Sequence, residues 1–137
     1  LKRSIFILVF FFLSCNSNFY GDKDVGGDFY YMVEPAFNSI YIAKIKDSPY
    51  QYLGPYVIEN IESLGFNDRF ILISNKKNDS LKYFLIDKEK ELNRNYEDRL
   101  QKTYSLELDS LKFEKLIVIH KIKIKTNEEY RKENGWE

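Results

Sequence analysis

One cysteine, one histidine, one methionine and one tryptophan among 137 residues leave little material for the commonest reactive centres. A lone cysteine cannot close an internal disulfide, so the fold must rest on its apolar core. A lone histidine, His120, cannot build a histidine-based metal site, and it serves a triad only with a distant acid and nucleophile. Net charge is also missing: 21 Lys and Arg balance 21 Asp and Glu, so no large field favours nucleic acid or anionic lipid. No apolar run reaches the roughly 20 residues a membrane-crossing helix needs. Prolines number three and glycines six, few enough that each punctuates the chain. Aromatic residues are plentiful instead, with 11 Tyr and 11 Phe, as in aromatic-rich strands.

The first residues are organised. Lys2 and Arg3 precede the apolar run Ile5 to Leu13, and Ser14 and Cys15 follow it. That order is the signature of an export leader. Phe12-Leu13-Ser14-Cys15 resembles the lipobox of bacterial lipoproteins, with Phe12 standing where an aliphatic residue is usual. The resemblance implies that residues 1–14 are a signal peptide and that Cys15 becomes an acylated N-terminus. Removing residues 1–14 from the 137 leaves 123 residues with a net charge of −2, because Lys2 and Arg3 leave with the leader. Asn16 is not the aspartate that retains some lipoproteins at an inner membrane, and no acidic run follows Cys15. In a two-membrane cell the expected address is the outer membrane, facing the periplasm. An ordinary secretory signal or an N-terminal anchor helix is the competing reading.

Residues 15–27 read as the lipidated N-terminus and a polar, glycine-containing tether. Strand-like segments follow at 28–33, 39–46, 56–66, 69–75 and 81–87, each rich in β-formers and closed by Pro, Gly, Asn or Asp. Asn67-Asp68 is expected to turn one hairpin, since both residues tolerate positive φ. Several strands are apolar on both sides, so something must cover the second face of the sheet. Leu92, Tyr96, Leu100 and Tyr104 recur at helical spacing, which predicts a covering helix over 88–102 capped by Asp87. Asp109 can cap a shorter second helix, with Leu108 and Phe113 placed as a hydrophobic staple. From Leu116 the period returns to two: Leu116, Val118, His120, Ile122 and Ile124 alternate with Lys121, Lys123 and Lys125, which predicts a last strand. The expected architecture is α+β, an antiparallel five- to six-stranded meander sheet with one or two helices packed on one face. It occupies residues 28–125 as a single domain, followed by a charged C-terminal tail over 126–137.

The succession Gly27-Asp28-Phe29-Tyr30, then Asn67-Asp68-Arg69-Phe70-Ile71-Leu72-Ile73, then Tyr83-Phe84-Leu85-Ile86-Asp87 resembles a family of small uncharacterised bacterial lipoproteins. The resemblance spans roughly residues 27–125 and implies a similar size, tether and strand-rich start, but no activity.

Candidate chemistry is sparse. Asp22-Lys23-Asp24 superficially resembles the start of a calcium loop, yet Gly26 and Val33 stand where oxygen ligands are wanted, and a solvated spacer is the favoured reading. Asp28 and Glu34 flank one candidate strand and would have to converge in a cleft for acid–base work. Lys121, Lys123 and Lys125 on one strand face either grip an anionic partner or protect a sheet edge against aggregation. Tyr30 and Tyr31 either line a recognition surface, as tyrosine often does, or reflect strand propensity. No metal, cofactor or nucleic-acid partner is expected; the expected contacts are a membrane through acylated Cys15 and a protein partner. The leading expectation is a non-catalytic binding protein, of immunity or inhibitor type. An envelope hydrolase using carboxylates and a purely structural lipoprotein are the alternatives.

Overall fold

Asn78 and Asp79 both take left-handed backbone, with φ of 51° and 61°, as a two-residue type I′ hairpin turn requires. In the computed structural model, which describes residues 23–32, 39–42, 56–95, 98 and 105–133, this turn joins the two longest strands, Phe70–Lys77 and Ser80–Asp87. They pair without a bulge from Lys77↔Ser80 to Phe70↔Asp87. The strands in chain order are β1 (Lys23–Gly26), β2 (Phe29–Met32), β3 (Ser39–Ile42), β4 (Tyr56–Ile58), β5 (Ile61–Phe66), β6 (Phe70–Lys77), β7 (Ser80–Asp87), β8 (Leu106–Leu108) and β9 (Lys125–Thr126). The helices that lie wholly within the described residues are α1 (Lys88–Leu92), α2 (Ser110–His120) and α3 (Asn127–Glu133).

The fold is α+β and its strands pair antiparallel, in two sheets. One has the order β1-β2-β3-β4 and the other β8-β7-β6-β5-β9. The segment expected as one strand over 56–66 divides at Glu59-Asn60, where Asn60 takes a φ of 56° and the chain passes from the first sheet to the second. One face of the five-stranded sheet meets the four-stranded sheet. Val25, Phe29, Tyr31 and Ile58 pack there against Ile61, Leu64, Ile71, Ile73 and Ile86, and Tyr130 of α3 joins them. Across the same sheet, Leu72 packs with Phe113 of α2 and with Ile122, bordered by Tyr83, Leu85, Leu116 and Ile117. Ile71, Leu72 and Ile73 are consecutive and all 0% exposed, so the first half of β6 is dry on both sides.

Both faces are covered, as the apolar strands demand. Of the helix expected over 88–102, the first part is α1, which ends at Leu92 with Asn93 as its C-cap; Asp98 is again helical, and Tyr96, Leu100 and Tyr104 lie outside the described residues. Among the described residues the cover of the second face is α2. Its start follows the expected cap and staple: Asp109 accepts from the Lys112 amide at 2.8 Å, and Leu108 and Phe113 share one cluster. The strand expected from Leu116 is corrected to the second half of this helix. Phe113, Leu116, Ile117 and His120 stand at i, i+3, i+4 and i+7, a helical face turned to the sheet. Lys121, left-handed at φ 50°, ends it.

The folded unit is also longer than residues 28–125. Lys23–Gly26 is a paired strand with Val25 1% exposed, not tether. Residues 127–133 form a helix that buries Asn127 and Tyr130, not a loose tail. The Asn67-Asp68 turn is made differently from the expectation. Neither residue takes a positive φ; instead the Asn67 side-chain oxygen accepts from the amides of Arg69 at 2.9 Å and Phe70 at 2.7 Å, an Asx turn.

After α2 the chain crosses the sheet tightly over Gly65. A Cβ there would lie 2.6 Å from the Lys123 carbonyl oxygen and 2.7 Å from Ile122 Cγ2. Backbone cannot swing aside as a flexible side chain can. Gly65→Ala is expected to destabilise the fold by about 1–3 kcal/mol through overpacking, read as a fall of several degrees in Tm by circular dichroism.

Candidate functional site

The described surface is indented where α1 leaves the end of β7. Leu85 and Leu106 make an apolar floor, and Asp87, Lys90, Glu91 and Arg94 border a cleft of about 410 Å³. Asp87 ends the strand and caps the helix, its carboxylate accepting from the Lys90 amide at 3.3 Å. The Arg69 guanidinium reaches the same carboxylate at 3.2 Å. Burial alone would raise the Asp87 carboxyl; the Arg69 hydrogen bond and the Lys90 amide outweigh it and hold the group below the ordinary carboxylate range. One helical turn on, Glu91 is 0% exposed. Its two oxygens accept from a single Arg94 nitrogen at 2.9 and 3.0 Å. Both carboxylates at this cleft are thus held by a guanidinium. The pairing fixes charge and orientation, which suits recognition of a polar ligand better than proton transfer.

Lys88 is buried at 3% exposure although it carries an amine. Its ammonium donates to the Val25 carbonyl of the first sheet at 2.6 Å and to the Asn67 carbonyl in the β5–β6 turn. Burial lowers its pKa, opposed by the nearby Asp68 and Asp24 carboxylates. Gly26 and Gly27, both at positive φ, make room: a Cβ on Gly27 would meet the Lys88 stem at 3.0 Å. This lysine ties the two sheets together.

The residues singled out in the sequence do not converge. Tyr31 is 0% exposed; its ring meets Tyr130 edge-on at 5.2 Å, and its hydroxyl accepts from the Asn127 amide. It is core, not a recognition surface. Tyr30 is half-buried on β2, opposite Tyr41 and Asp24. Lys121, Lys123 and Lys125 do not share a strand face: Lys121 caps α2, Lys123 lies in the crossing segment, and Lys125 alone is in a strand, paired with Glu133 and over the Tyr130 ring. His120 ends α2, half-buried, with its ring 4.6 Å from that of Phe70. Asp28 sits in the β1–β2 turn at φ 62°, while Glu34 and Cys15 lie outside the described residues. Among the described residues no group of three or more His, Cys, Asp or Glu side chains could hold a metal ion.

Sequence reasoning missed Lys88, Glu91 and Arg94. Glu91 and Arg94 were legible as an i,i+3 pair, but nothing local marks the carboxylate as buried. Comparison with protein-family models, with curated proteins and with solved structures finds no match to this chain.

Arg94→Met removes the guanidinium from a carboxylate that stays buried, and is expected to lower the unfolding free energy by about 3 kcal/mol. The double variant Glu91→Gln, Arg94→Met should lose less, because neither charge of the pair is then left without the other; urea unfolding of the three proteins measures the difference. A second expectation concerns alkali. Burial pushes the Tyr31 hydroxyl from 10.0 up to about 12, and Tyr130 rises further for the same reason. The unfolded chain therefore loses these protons first, and stability falls as pH climbs above 10. Lys88 acts in the opposite sense up to its ordinary 10.5, so the window to read is 10.5 to 12. Tyr130→Phe should flatten the decline of Tm across that window.

Proposed function

We propose that this chain is a cell-envelope lipoprotein, fastened to a bilayer through acylated Cys15, whose folded part binds a partner rather than turning over a substrate. The observation that carries the reading is the leader: two cations, an apolar run and a small residue directly before the only cysteine. A cysteine spent on a thioether is no longer a nucleophile. Stable anchoring needs more than one acyl chain, which the diacylglyceryl-plus-acyl modification of such lipoproteins would supply.

Binding rather than catalysis is supported by the cleft between α1 and the β7–β8 edge. Its carboxylates are each committed to an arginine, and its floor of Leu85 and Leu106 offers apolar contact beside fixed charge. Such a surface fits a protein partner, as in an immunity or inhibitor protein.

Mass spectrometry of the native product should show an N-terminal acylated cysteine and the loss of residues 1–14. Detergent phase separation should place the native chain in the detergent phase and Cys15→Ala in the aqueous phase. A native chain that retains its first fourteen residues, or stays aqueous, refutes the anchor. Affinity capture of the lipidated chain from envelope extracts should recover a stoichiometric partner, lost when Leu106→Glu charges the cleft floor.

A further inference from the structure

Helix α2 is apolar on two sides, and among the described residues only one of them is packed against the fold. Phe113, Leu116, Ile117 and His120 turn to the sheet. Leu111, Val118 and Ile119 turn outward and are 60%, 75% and 67% exposed. Leu111, Lys115, Val118 and Ile119 stand at i, i+4, i+7 and i+8, so they are neighbours along one stripe. Lys112, Lys115, Lys121 and Lys123 are exposed on and just after the helix; Glu114 is the one exposed acid within it. Asp109, the cap, is paired with Lys112 at 3.7 Å.

We propose that α2 lies against the surface of an anionic bilayer, with Leu111, Val118 and Ile119 entering the interface and Lys115, Lys121 and Lys123 meeting lipid headgroups. The proposal rests on the anchored reading above. Charge complementarity favours this occupant: a stripe of aliphatic tips carrying Lys115, bordered by Lys112 on one side and by the single acid Glu114 on the other, and followed by Lys121 and Lys123, matches apolar chains beneath negative headgroups. Lys115, within the stripe, can lay its stem along the apolar surface and lift its ammonium to the headgroup level. Reach permits it, with the tether entering at β1 in the layer opposite α2. Residues 16–22 separate Cys15 from the first strand, and seven residues span at most about 25 Å when fully extended. A domain on so short a leash stays beside the membrane, where an outward apolar helix face has a non-aqueous phase to enter.

The test uses the lipidated full chain in vesicles with and without phosphatidylglycerol. Trp136→Phe removes the native tryptophan, and Val118→Trp, Ile119→Trp or Leu81→Trp places a single reporter; Leu81 is an exposed control at the β6–β7 hairpin. Brominated phospholipids should quench the reporters at 118 and 119 several-fold more than the one at 81. The excess should fall without phosphatidylglycerol and in a Lys115→Gln, Lys121→Gln, Lys123→Gln background. Equal quenching at 118 and 81 overturns the proposal. So does protection of the 118 reporter without lipid that rises with protein concentration, which would assign the face to a second copy. The mass of the Cys15 peptide separates the two readings. Acylated Cys15 with an unquenched 118 reporter leaves the anchor standing and removes the α2 contact; unmodified Cys15 with a quenched 118 reporter does the reverse.

Discussion

The fold depends on one strand having no wet side along its first half. Ile71 and Ile73 fill the space between the two sheets, and Leu72, between them in sequence, is equally buried beneath α2. A strand dry on both faces cannot lie at a surface, and β6 is accordingly central in its sheet, with β5 and β7 on either side. Each of its faces must then be sealed, which requires a layer above and a layer below. The four-stranded sheet supplies one layer and α2 the other. The four-stranded sheet needs this arrangement in turn: its strands are only three or four residues long, and their buried residues face the same central layer.

Apolar burial brings the layers together but does not orient them, because hydrophobic contact is nearly indifferent to a small rotation. Lys88 supplies direction. Its ammonium reaches a carbonyl in the first sheet and another in the β5–β6 turn of the second, and a buried amine that lost either acceptor would be left partly unsatisfied. The stem lies along Gly26 and Gly27, where a side chain would intrude. The two glycines and the lysine, some sixty residues apart, form one device. Such polar ties contribute little net stability and more to the choice of a single arrangement.

What the sequence disclosed follows from how local each signal is. The Asp109 cap and the Leu108–Phe113 staple lie within six residues, and both are present. The Asp87 cap is equally local and equally present. Leu116-Ile117-Val118-Ile119 was misread because four consecutive apolar residues satisfy a period of two and a period of 3.6 alike. The cap upstream decides between them, and the i, i+3, i+4, i+7 set that includes Phe113 was the informative count. Asn67-Asp68 and Asn78-Asp79 present the same residue pair, and only the second takes positive φ. At the first, the Asn67 side chain forms the turn itself. Tyr31 and Lys88 were illegible for another reason: their burial depends on partners from Leu64 to Tyr130 and from Val25 to Asn67, which no local window contains. Glu91 likewise reads as a surface acid until the cleft around it is seen.

Balanced totals conceal a segregation that matters at a surface. Twenty-one cations against 21 anions give no long-range field, and at physiological ionic strength a field would in any case fade within about 8 Å. A contact at a bilayer samples only the charges that face it. From Lys112 to Lys125 the chain has five lysines and one acid, Glu114, while α3 opens with Glu128 and Glu129. Those two acids are engaged locally, Glu128 by Lys132 and Glu129 by the Thr126 amide and hydroxyl, so they do little to neutralise α2. A neutral protein can therefore present one cationic, apolar-tipped helix without attracting anionic surfaces at a distance. Under the proposed anchoring that is the useful combination: the tether would provide proximity and the helix face would need only to set orientation.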